Sequence, residues 1–165
     1  MRYRVYNGHM PAASKFAAVP SGTVLLTLLQ LKAFTPCKIV EYGISFDGYA
    51  AATPIQVELL DTGAVFATVT ASVDADVAKM DGEDSPVSSI SGIVLGATAT
   101  GFTATAEGVI TTTKPFDIQF VSPTSQFVKQ FPLGREPKIV IGNSTRLRVS
   151  AAASVNAICY IEFEF

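Results

Sequence analysis

Few side chains in this sequence are equipped for chemistry, and those few stand apart. His9 is the one histidine, set in a Gly/Pro/Ala-rich stretch with no Cys, Asp or second His at ligand spacing. A metal needs several converging ligands, and a general base needs an orienting partner and a nucleophile, so His9 reads as a surface residue. The two cysteines, Cys37 and Cys159, lie in apolar, strand-like contexts and read as buried, reduced, mutually unbonded thiols. The acidic run from Asp74 to Asp84 invites a calcium test. Read as an EF-hand loop from Asp74, it places Ala78, Lys79 and Ser85 where the ion needs an oxygen ligand, a glycine and a glutamate. The run is therefore expected to be a solvated acidic loop. Asp47, Glu58, Asp61, Glu107 and Asp117 could contain a glycosidase-like carboxylate pair, but sequence does not place two carboxylates at glycosidase separation, and there is no tryptophan for a sugar to stack on. No nucleophile elbow, phosphate-binding glycine loop or His-Glu-x-x-His helix is present. These residues predict no enzyme, no metal site and no cofactor.

Charge narrows the partners. Twelve Lys and Arg stand against fourteen Asp and Glu, for a net charge of −2, without the basic excess of a nucleic-acid binder. The tightest arginine pairs, Arg2 with Arg4 and Arg146 with Arg148, fall on alternate positions of predicted strands. They are expected to face solvent or a partner's carboxylate rather than phosphate. The apolar run Val24–Leu31 is too short to cross a bilayer, which takes about 20 residues. Met1-Arg2-Tyr3-Arg4 is not followed by the apolar core of a signal peptide. The reading is no nucleic acid, no membrane and a cytoplasmic site of synthesis.

The elements that would have to position any site are strands. Val155, Ala157, Cys159, Ile161, Phe163 and Phe165 alternate with Asn156, Tyr160, Glu162 and Glu164, and a strand sends such neighbours to opposite faces. Val40–Phe46, Val65–Val73, Phe116–Phe120 and Leu147–Ala151 alternate likewise. Turn chemistry punctuates them at Asp47-Gly48, Asp61-Thr62-Gly63, Ser122-Pro123, Pro132-Leu133-Gly134 and Gly142-Asn143-Ser144. Ile55–Leu60 and Ala64–Val73, joined through Asp61-Thr62-Gly63, read as a hairpin. Thr23–Lys32 fits a strand better than a helix, and Gly92–Ala106 reads as weak strands. The fold predicted is all-β: a jelly-roll-like sandwich or small barrel spanning 23–165. Residues 1–22 read as an extended N-terminal arm. At 48% apolar and 16% charged residues, the chain suits a permanent assembly. Phe16 and Val19 in the arm, with Arg2 and Arg4, are the candidate interaction residues.

The segment Gln126–Pro137, the strand pair around Arg146–Ala151 and the terminus Tyr160–Glu164, with Val40–Gly48 and Thr53–Leu59 upstream, resemble small head-decoration or minor capsid proteins of tailed phages that infect actinobacteria. The resemblance covers about two-thirds of the chain and has no catalytic motif in it. It implies a jelly-roll-like domain, usually a homotrimer, that binds the major capsid protein on the exterior of the virion head and braces the shell. It also implies that the arm pairs with a neighbouring chain. The alternative is a ligand- or carbohydrate-binding β-sandwich module of a phage tail fibre or receptor-binding apparatus.

Overall fold

A computed structural model describes residues 1–10, 19–20, 24–48, 53–80 and 92–165. Strands β1 (Arg2–Tyr6), β2 (Val19–Pro20), β3 (Leu26–Lys32), β4 (Cys37–Phe46), β5 (Ile55–Asp61), β6 (Thr68–Ala71), β7 (Val77–Lys79), β8 (Gly101–Ala106), β9 (Lys114–Val121), β10 (Gln126–Gln130), β11 (Lys138–Ile139), β12 (Ser144–Ser150) and β13 (Asn156–Glu164) form two antiparallel sheets packed together. The first runs β10-β4-β13-β1-β7, with β11 also on β4 and β2 on β13. The second runs β6-β8-β3-β12-β5-β9. The all-β sandwich expected from the alternation is the architecture present.

β13 forms the spine of the first sheet because its alternation is nearly perfect. Ala157, Cys159, Ile161 and Phe163 are fully buried between the sheets, while Phe165 beyond the strand is partly exposed. Tyr3, Val5, Ile39, Tyr42 and Ile44 face the same core from β1 and β4, and Leu29, Leu31, Val57, Leu59, Leu147 and Val149 close it from the second sheet. Full burial of each large side chain contributes about 1.5–3 kcal/mol. At the outer end of this ladder the chain ends meet: the Phe165 amide donates to the Met1 carbonyl at 3.3 Å.

β3 is a strand, as the Thr/Val content predicts, but a register shift opposite Leu147 and Arg148 interrupts it. Gly101 in β8 is required by close packing, since a Cβ there would collide with the Thr70 carbonyl of β6.

Two expectations about the strands fail, each for a visible reason. The hairpin through Asp61-Thr62-Gly63 does not form: β5 pairs with β12 and β9, and β6 pairs with β8 across the sheet. The turn itself is there, with Gly63 at φ 62° and its amide bound to the Asp61 carboxylate at 2.6 Å. Beyond it the backbone is captured over the outer face of the second sheet. The Val65 carbonyl accepts from Arg146 Nη2 at 2.6 Å and from Ser144 at 3.2 Å, and Gln30 Oε1 accepts from the Ala67 amide at 2.8 Å.

That crossover also decides between solvent and carboxylate for Arg146, whose side chain is 0% exposed and paired with Glu107 at 3.0 Å. From Asp117 onward, past the register shift at Phe116, β9 is inverted relative to its pattern. Asp117 lies opposite Leu59 and accepts from the Tyr42 hydroxyl at 2.6 Å, bridging the sheets. Ile118 and Phe120 therefore point outward, 47% and 73% exposed. Tyr42→Phe should cost about 1.5–3 kcal/mol, the range for a bond to a charged group, read as a lower urea midpoint at unchanged slope. An unchanged midpoint would mean the two sheets are not tied there.

Cys37 and Cys159 are free, buried thiols. Burial pushes the Cys37 pKa from an ordinary 9.0 up to about 12 and also raises that of Cys159. A group whose pKa rises on folding contributes its full stability below the unfolded value and loses it as pH climbs through the folded one. Stability should therefore decline between about pH 9 and pH 12. Alkylation without reductant at pH 8 should leave the native protein unlabelled and add two groups to the denatured chain, one for each cysteine. A disulfide in freshly purified protein would contradict both statements.

Candidate interaction surface

The outer face of the first sheet gathers the polar halves of β1, β4 and β13. Pairing of β1 with β13 sets Arg2 beside Glu164 and Arg4 beside Glu162, and β4 brings Glu41 opposite Glu162 from the other side. Two carboxylates face each other there, and Arg4 relieves the repulsion. Its Nε donates to Glu162 Oε2 at 3.0 Å, its Nη2 also bonds that oxygen, and Glu41 lies 3.7 Å away. Arg2 adds a contact to Glu162 at 3.4 Å. Burial opposes the Arg4 charge, but hydrogen bonding to Tyr6 and Glu162 outweighs it, so the guanidinium is held more firmly protonated than usual.

Aromatic rings complete the surface. The Arg4 guanidinium lies 4.4 Å from the centroid of the Tyr160 ring, within cation–π range, and Tyr6 packs against the same ring at 5.6 Å. Tyr160 lies flat across the sheet because Gly43 on β4 leaves room; a Cβ at that position would strike the ring. The Tyr160 hydroxyl donates to Glu41, and burial together with that bond raises its pKa. The result is a flat platform whose cations are already neutralised by their own sheet. It suits stacking and hydrogen bonding, and offers no uncompensated positive charge to a phosphate.

A second surface forms where two turns lie side by side at one end of the sandwich. The Ala33 amide donates to Asn143 O at 3.1 Å and the Gly142 amide to Ala33 O at 3.0 Å, while the Phe34 amide is held by Gly92 O at 2.6 Å. These bonds fix Phe34, Val140 and Ile141 in place with their side chains largely in solvent; Phe34 and Ile141 are each 63% exposed. Exposed apolar side chains gathered in one place mark contact surfaces, whereas ones scattered singly are ordinary.

Of the four residues singled out from the sequence, Arg2 and Arg4 come together on the platform. Val19 lies in β2, where its backbone pairs with Ala157 of the chain's own β13, and Phe16 lies outside the described residues. Arg2–Tyr6 is a strand paired on both sides, with β13 and with β7, so the first residues of the expected arm belong to the sheet. His9 is exposed, as the sequence suggests, but it is not partnerless. Its Nδ1 lies 2.7 Å from Asp76 Oδ2, and its ring stands edge-on to Phe102 at 4.9 Å. Asp76, expected in a solvated loop, is buried and also accepts from the Met10 and Val73 amides, both at 2.8 Å. This cluster is a clasp that ties the end of the β1 segment to the turn before β7. The Glu41–Glu162–Tyr160 set escaped sequence reading because it depends on which strands pair. Its one signal was Glu162 and Tyr160 sharing the polar face of β13.

Among the described residues no group of three or more His, Cys, Asp and Glu could hold a metal ion. A hollow of about 190 Å³ at the opposite margin, lined by Thr53, Ile55, Pro123, Ala151–Ala153 and Val155, offers no acid, base or ligand side chain. No family model, no curated protein and no solved structure matches the chain.

Proposed function

We propose that the chain is a non-catalytic structural protein of a tailed-phage head, made in the host cytoplasm and bound to the major capsid protein on the outside of the shell. One observation carries the reading: the pair of hydrogen-bonded turns that presents Phe34, Val140 and Ile141 rigidly to solvent at one end of the sandwich. Such a preset apolar end loses little entropy on docking. Its low charge suits an interface that stays closed. In this role the chain assembles with copies of itself, as a homotrimer, each copy presenting the same patch.

The test uses heads purified without the protein. Added wild-type chain should bind in many copies per particle, and Phe34→Asp with Ile141→Asp should abolish binding while leaving the circular dichroism unchanged. Undiminished binding by that variant would remove the turn pair from the role.

The Tyr6–Tyr160 pair beside Arg4 and Glu41 favours a second reading, a carbohydrate- or ligand-binding module of a tail fibre, since flat aromatic rings flanked by hydrogen-bonding groups suit sugars. Copy number separates the two: a handful per particle at the tail, against shell-wide occupancy on the head.

A further inference from the structure

Sheets that end in water carry devices against edge-to-edge pairing: short strands, lysines, prolines, bulges or inward-pointing charges. Among the described residues, three of the four sheet edges follow that rule. β7 has three residues and β6 four, while β10 is Gln-Phe-Val-Lys-Gln with Lys129 in it. β9, with eight residues, is the longest edge strand. Its protections are crowded at its start: Lys114, Pro115 and the register shift opposite Leu59 and Leu60. From Asp117 to Val121 it pairs with β5 alone among the described residues. Its one inward charge there, Asp117, is already bonded to Tyr42 and Gln119. Over that same stretch the two outward side chains are the exposed Ile118 and Phe120.

We infer that residues 117–121 of β9 are the docking edge for a second copy of this chain, joined antiparallel about a two-fold axis through Gln119. The occupant follows from complementarity. A two-fold axis that continues the sheet must keep each face on its own side, so it passes through a residue pair. An axis through Asp117 would set two carboxylates opposite each other. An axis through Ile118 would face each Phe120 with the other copy's Phe116, a residue packed against its own core at the register shift.

An axis through Gln119 sets Ile118 of each copy opposite Phe120 of the other, twice. It places neutral Gln119 on the axis and sets no like charges against each other. Directly opposed aromatic and β-branched pairs stabilise antiparallel strands. The contact is isologous, the same patch on both copies, and a contact at the small end of the interface range should associate in a concentration-dependent way. It is independent of any role on a phage head. A three-fold contact elsewhere on the molecule is compatible with it, in which case β9 joins one trimer to the next.

The test uses the full chain: analytical sedimentation of wild type should show an even-numbered species that grows with concentration. Because Ile118 and Phe120 are outside the core, Phe120→Lys and Ile118→Lys should fold normally, and each should weaken association at least tenfold. Register is read by cross-linking. Mixing Ile118→Cys with Phe120→Cys should give a disulfide between the two variants under mild oxidation, and either variant alone should give much less. Association that both lysine variants leave unchanged overturns the inference. So does a wild type that remains monomeric or purely trimeric at high concentration. A dimer that is lost in the lysine variants but cross-links best as Ile118→Cys alone overturns the register.

Discussion

Replacing Ile161 with aspartate should abolish folding. Ile161 lies at the centre of β13, opposite Tyr42 on β4 and Val5 on β1, and is completely buried. Aspartate there would forfeit the apolar contact and place a carboxylate where no donor waits, a cost of several kcal/mol even after its pKa adjusts. Set against a total stability of about 5–15 kcal/mol, that is enough to unfold a domain of this size. The graded control is Ile161→Val, which should cost only about 0.5–1.5 kcal/mol and stay folded. Soluble yield and thermal unfolding followed by circular dichroism check both. An Ile161→Asp protein that is soluble and melts like wild type would mean that β13 does not run through the core.

Arg146→Ala should cost about 3–5 kcal/mol, the range for breaking a buried ion pair from one side. The guanidinium donates through Nη1 to both the carbonyl and the carboxylate of Glu107, at 2.8 and 3.0 Å, and through Nη2 to Val65 O at 2.6 Å. Burial draws its pKa down, Glu107 resists that, and the charge is kept. Removing it takes from Glu107 its paired cation, leaving the Thr27 amide and hydroxyl, both at 2.6 Å, and takes a donor from each of the Val65 and Glu107 carbonyls. It also frees the crossover between β5 and β6. Lysine should not rescue, because a compact ammonium on a flexible stem cannot span Val65 and Glu107 together. The double variant Arg146→Met with Glu107→Gln should recover much of the loss, since neither charge is then left alone. Denaturant unfolding of wild type, Arg146→Met, Glu107→Gln and the double variant gives the cycle; an Arg146→Ala loss under about 1 kcal/mol would show that the pair is not what holds the crossover.

Legibility in the sequence tracks how many faces of a strand are covered. β13 reads clearly because its inner face is sealed and its outer face is polar. β12 is buried through nearly its whole length, yet its outer face carries Ser144, Arg146 and Arg148. Alternation alone told that face to seek water, and nothing local reveals that a crossover covers it. The misread hairpin has the same origin. Asp61-Thr62-Gly63 makes its turn, but Gln30 and Arg146, distant in sequence, decide where the chain goes next. β9 inverts because Tyr42 supplies the hydrogen bond that makes an inward Asp117 tolerable. At the platform, alternation was enough to put Arg2 and Arg4 on one face. Their carboxylates, Glu162 on β13 and Glu41 on β4, come from distant strands and could be named only once the pairing was known.

The meeting of Met1 and Phe165 has a mechanical consequence. β1 and β13 are antiparallel neighbours whose outer ends, at Met1 and Phe165, lie side by side. Tension applied to those ends runs along the hydrogen bonds between the two strands and breaks them one after another, as a zipper opens. Tension applied across the sandwich, between the Ala33–Asn143 turns and the opposite margin, runs along the strands and must shear many bonds at once. The protein should therefore peel at low force when pulled by residues 1 and 165 and hold at much higher force when pulled through its turns. Any partner that strains it can do so safely only by gripping the turns.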